Sequence, residues 1–174
     1  MIRQIGVFGV TVWIVTASVR GLSVDEWWER PGGANPPIWI MGHILSHRRI
    51  LAGLLGMEVE PSAHDEHFAR GTSPDDVPVG IDGGELVEEF RAFCKGFTEQ
   101  LEAMDPAALD EPIDIEFPSV PKTRLGALQF LGMHESYHAG QLGQLRVQLG
   151  KGSWMTKPAF LCIHAKDLKV RIML

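Results

Sequence analysis

The stretch Leu131-Gly132-Met133-His134-Glu135-Ser136-Tyr137-His138-Ala139-Gly140-Gln141-Leu142 places two histidines four residues apart between leucines. On a helix that spacing puts His134 and His138 on one face, about one turn apart, with Leu131 and Leu142 sharing it. Both imidazoles should then point inward. A buried imidazole needs partners for its ring nitrogens, and a shared metal ion meets that need while using the neutral ring. The same face extends through Leu128, Leu145 and Leu149, so a helix is expected from about Thr123 to Gly150.

Working outward, three more helices emerge. Asp82 is a helix cap, and Leu86, Phe90, Phe93, Phe97, Leu101 and Met104 follow at helical spacing, with Glu88, Arg91, Lys95, Glu99 and Glu102 on other faces. Those phenylalanines read as core. A second helix starts at about Pro37 and stops near Gly56, with Ile40, His43, His47, Ile50 and Leu54 as its inward stripe. The first runs from about Arg3 to Arg20. Pro- and Gly-rich connections fill Ser23 to Pro37, Met57 to Gly83 and Asp105 to Lys122. With no convincing strand set, the fold expected is all-α: an antiparallel four-helix bundle with long connecting loops over residues 1–150. The tail, 151–174, differs in character, and its mixture of β-branched and basic residues specifies neither helix nor strand.

Composition narrows the partners. The chain has 174 residues, enough for one domain with a real core, and a net charge of −6 with no basic run. That surface argues against nucleic acid or an anionic membrane as the main partner. Cys94 and Cys162 make no disulfide framework, and a cytoplasmic location is the simplest expectation. Ile5 to Val19 is almost wholly apolar but short for a bilayer, and it reads as a buried first helix rather than a signal sequence. An apolar helix with two buried sides suits a bundle that also forms a homodimer.

His43 occupies a place on the second helix comparable to that of His134 and His138 on the last, so inward side chains from both could converge. Spacing alone leaves His47 as its rival for the third position. Three histidine ligands with an open coordination position describe a reactive metal site rather than a closed structural one. Imidazoles suit several divalent metals; zinc is favoured, with nickel close behind. His64 and His67 read as part of a solvated loop, and His164 has no informative context.

His134-Glu135-Ser136-Tyr137-His138 also matches H-E-x-x-H, the zinc peptidase signature, in which Glu135 would be the general base. The third ligand is missing from that pattern. Gln141 and Gln144 stand where an extended version needs Gly and His, no glutamate follows His138, and Asp167 is the one downstream aspartate. A non-catalytic bundle tied by a structural metal, with His47 as fourth ligand, is the other alternative. Tyr137 and Gln141 are candidates for the pocket rim.

The run from His134 to Gln141, continuing to Leu145-Arg146 and Leu149-Gly150, resembles the last helix of the DinB-like family. Trp28-Glu29-Arg30-Pro31, Asn35-Pro36-Pro37-Ile38-Trp39 and Gly42-His43-Ile44 resemble that family's approach to its first ligand, and Phe68 to Pro74 its connecting loop. The resemblance covers roughly Leu22 to Gly150. It implies a four-helix bundle with His43, His134 and His138 as metal ligands. It also implies, as an expectation, a metal-dependent transferase that adds a low-molecular-weight thiol to a small electrophile. The first helix is more apolar, and the tail longer, than the family pattern.

Overall fold

Caps written into the sequence start the two longest helices. The Asp82 carboxylate accepts the Glu85 N–H at 2.9 Å, and the Thr123 hydroxyl accepts the Gly126 N–H at 3.3 Å. In this computed structural model, residues 5–154 are described. They form α1 (Ile5–Val19), α2 (Pro37–Leu54), α3 (Gly83–Ala103) and α4 (Arg124–Gln148), joined by connections carrying short 3-10 turns. Pro37 opens α2, where its missing N–H is no loss, and Gly56 closes the following turn at φ +80°. Among the described residues there is no strand, and Pro112 and Thr123 form an isolated bridge. Cys162, His164, Asp167 and the 155–174 part of the tail lie outside the described residues.

Residue pairings give the helix directions. Gly132 and Gly143 of α4 lie against Phe8 and Ser18 of α1, so these two helices run parallel. His138 and His134 of α4 meet His43 and His47 of α2 in reverse order, so that pair is antiparallel. Trp27 ties the starts of α2 and α3 to one end: its carbonyl accepts the Ile38 N–H, and its indole covers Gly83. Phe8, early in α1, packs edge-on against Phe97, late in α3. The antiparallel neighbours are thus α1 with α3 and α2 with α4, and the long connections let α1 and α4 run the same way.

The buried face of α2 is broader than the expected stripe. Ile50, placed on that stripe by its spacing, is 43% exposed. Packing against both α3 and α4 centres the buried arc on Ile44, Arg48, Leu51 and Leu55, which rotates Ile50 out to solvent. On α1, Phe8, Thr11, Val15 and Ser18 face the core, while Val7 and Val10 are exposed, so among the described residues its apolar surface is not covered on both sides. Leu86, Phe90, Phe97 and Leu101 form the core face of α3, with Phe93 and Met104 half-buried at its edge.

Two apolar clusters make up the interior. One gathers Val15, Trp39, Phe68, Phe90 and Leu142; the other Phe8, Leu51, Phe97 and Leu128. Arg48 lies where they meet, its guanidinium 4.5 Å from the Phe8 ring centroid, 4.9 Å from that of Phe97 and 5.9 Å from that of Phe90. A buried cation in such a place requires a buried anion. Glu135 supplies it, and that pairing sits one residue from His134.

Candidate metal centre

His43 on α2 and His134 and His138 on α4 offer ring nitrogens that all lie within 4.8 Å of one another. The Nε2 atoms of His134 and His138 are 3.2 Å apart. Two imidazoles on one tetrahedral ion at about 2.0–2.1 Å put their nitrogens roughly 3.3 Å apart, so the gap fits a shared ion. The i, i+4 spacing sets the α4 pair, and antiparallel packing brings His43 opposite.

Neighbouring groups fix the ring faces. His43 Nδ1 donates to the Phe68 carbonyl at 2.7 Å, which leaves Nε2 bare as a donor to a metal. Phe68 is held there because its ring lies flat over Gly42, where an added Cβ would stand 2.5 Å from the ring. Trp39 stacks on the His43 ring at 4.5 Å. On α4, His138 Nδ1 bonds to Gln141 Oε1 at 2.7 Å, and the Gln141 amide donates to the Tyr137 hydroxyl at 3.1 Å. His134 Nδ1 is buried with no hydrogen-bond partner.

Burial keeps these rings neutral. It pushes His43 down to about 3, with the His47 charge adding to the effect, and His134 down to about 4, with His47, His138 and Arg70 adding. His47 and His138 are lowered too, burial again first. Neutral imidazole is the form that binds metal.

His47 belongs to the cluster without joining the ligand group. Its ring centroid is 4.0 Å from that of His43 and 4.6 Å from that of His134, and its Nδ1 donates to the His43 carbonyl at 3.0 Å. Among the described residues, the set able to hold one ion is His43, His134 and His138. His64 and His67 sit in the loop with ring centroids 6.5 Å apart and do not form such a set.

Glu135 is committed elsewhere. Its Oε2 accepts Arg48 Nε at 2.7 Å, and its Oε1 accepts both Arg48 Nη2 and the Thr11 hydroxyl. Only 4% exposed, it joins α1, α2 and α4 from below the histidines. A peptidase base must face a metal-bound water, and a carboxylate with both oxygens held by Arg48 and Thr11 does not. The H-E-x-x-H spacing here encodes two histidines and a buried ion pair.

Arg48, Thr11 and the Phe68 carbonyl escaped the sequence reading. Arg48 and Thr11 carried a weak signal, as polar residues at core phase in otherwise apolar stretches. Phe68 carried none, because a backbone carbonyl leaves no mark on the sequence.

The DinB superfamily model matches residues 14–142 of the chain, from α1 to the end of the histidine pair on α4. No curated protein matches it. None of the described helices is long and apolar enough to cross a membrane.

Proposed function

Because the chain belongs to the DinB superfamily, we propose that it holds a divalent metal through His43, His134 and His138 and transfers a low-molecular-weight thiol to a small electrophile. The observation that carries this reading is the set of three neutral imidazoles, two with their far nitrogens fixed by oxygen acceptors, with no fourth protein ligand in the group among the described residues. Three-histidine sets of this kind leave a coordination position for an exogenous ligand. Zinc is our first choice of metal and nickel the second.

The bound metal would supply Lewis acidity, lowering the pKa of a thiol at the open position so that the nucleophile forms near neutral pH. The chain's own residues do the rest. Phe68 and Gln141 orient His43 and His138, and Trp39 walls one side of the His43 ring. Tyr137, 60% exposed and bonded to Gln141, stands at the rim where an incoming electrophile meets the site. The Arg48–Glu135 pair joins α2 to α4 beside the histidines that would hold the ion.

The proposal extends to a homodimer, supported by the exposed Val7 and Val10 on α1, and to a cytoplasmic setting, where small thiols stay reduced. Metal-loaded protein incubated with a panel of small thiols and electrophiles tests the activity. Thioether formation that is lost on chelation and in His138→Ala supports it. Rates equal to the uncatalysed reaction with every pair would remove the transferase reading.

A further inference from the structure

Resting on that reading, we propose that Arg70 recognises an anionic group on the ligand taken by the three-histidine site, so that the thiol is one carrying a carboxylate.

The segment Phe68–Thr72 is tied down at both ends beside the first ligand. At one end the Phe68 carbonyl accepts His43 Nδ1 at 2.7 Å, and the Phe68 ring is buried against Gly42. At the other, the Trp39 indole N–H donates to the Thr72 hydroxyl at 3.3 Å, while that hydroxyl donates to the Ala69 carbonyl at 2.8 Å. Trp39 is the residue stacked on His43. Arg70 therefore projects from the middle of a strap anchored to the wall of the site, and its side chain is exposed.

Most other described arginines are already occupied. Arg30, Arg48, Arg49, Arg91 and Arg124 each hold a carboxylate, and Arg146 donates to the Ser18 and Arg20 carbonyls. Arg70 has no carboxylate partner among the described residues. Arg20 has none either, but it lies at the end of α1 with its carbonyl on Arg146, about two turns beyond His138 on α4. Of the neighbouring carboxylates, Asp65 is held by Arg49, Asp75 by Arg30 and Glu135 by Arg48. Three neutral imidazoles leave the charge of a divalent ion uncompensated, and Arg70 adds to it. Mutual repulsion of these cations is relieved by an anion between them, and a guanidinium fork matches a carboxylate.

The test uses full-length cobalt(II)-loaded protein, titrated by visible absorbance with mercaptoacetate and with 2-mercaptoethanol. Wild type is compared with Arg70→Gln, Arg70→Glu and Arg70→Lys. The ratio of the two affinities is read, since chelation intrinsic to mercaptoacetate is common to every variant. Arg70→Gln should lower that ratio about tenfold, as expected for one charge-assisted bidentate contact, Arg70→Glu further, and Arg70→Lys less. Affinity for 2-mercaptoethanol should stay within about twofold throughout, because an exposed side chain carries little of the fold. A ratio unchanged in Arg70→Gln overturns the role of Arg70 and leaves the thiol reading intact. Cobalt bound one-to-one with neither thiol altering its spectrum overturns both.

Discussion

His43 and His138 meet across the bundle with ring centroids 4.7 Å apart and planes inclined at 72°, and each has its Nδ1 bonded to an oxygen, the Phe68 carbonyl and the Gln141 amide. The two rings are thus presented by different means, one through a loop backbone and one through a side chain a turn along its own helix. Each anchor can be altered separately.

Gln141→Leu should leave the fold unchanged but weaken metal binding by about 10–100-fold, the usual effect of removing a ligand's outer hydrogen bond. Gln141→Glu keeps an acceptor on His138 Nδ1 and should retain or raise affinity. Competition with a chromophoric chelator measures both. Equal affinity in wild type and Gln141→Leu would show that the His138 ring is held by packing alone.

Gly42→Ala acts on the other anchor. Its Cβ would stand 2.5 Å from the Phe68 ring, so ring and carbonyl must shift together. Overpacking of this kind costs about 1–3 kcal/mol, read from urea denaturation, and metal affinity should fall with it. A stability loss with unchanged affinity would mean that the Phe68 carbonyl follows His43 wherever the ring moves.

Arg48→Met and Glu135→Leu should each cost about 3–5 kcal/mol, because each leaves a buried charge unpaired. The double variant should recover much of that loss. Folded Glu135→Gln should still bind metal and retain most activity, unlike a peptidase losing its base. A Glu135→Gln protein that is stable, metal-loaded and wholly inactive would give Glu135 a chemical role.

Acid should weaken the metal-free fold through the same histidines. His43 and His134 titrate at about 3 and about 4 in the folded chain against an ordinary 6.5, chiefly because of burial. The unfolded chain therefore takes up protons first as pH falls. Stability is whole above about 6.5 and drains progressively toward 4 and then 3. Urea midpoints measured in chelator between pH 7 and 4.5 should decline, and His43→Phe should flatten the slope. An unchanged slope in that variant would place the proton uptake elsewhere.

Much of the bundle is legible locally. The leucine stripe around His134 and His138, the Asp82 and Thr123 caps and the prolines between helices each act within a few residues, so the sequence carries them openly. The third histidine is legible only in part. Periodicity on α2 allows His43 or His47, and the deciding factor is long-range: the packing of α2 on α4 brings the ring nitrogens of His43, rather than His47, into one group with those of His134 and His138. Ile50 faces outward against its helical phase for a related reason, since phase does not say how many neighbours a helix will have. Glu135 shows the limit most clearly. Its motif neighbours suggest a catalytic base, but its partners Arg48 and Thr11 come from α2 and α1. Such pairings belong to the tertiary structure.

Metal content of protein purified without a histidine tag or added metal tests the central claim most directly, with wild type set beside His43→Ala, His47→Ala and His138→Ala. The proposal predicts near-stoichiometric divalent metal in wild type and His47→Ala, and its loss in both His43→Ala and His138→Ala. Metal retained in His43→Ala but lost in His47→Ala, or no metal in wild type even after reloading, would contradict it.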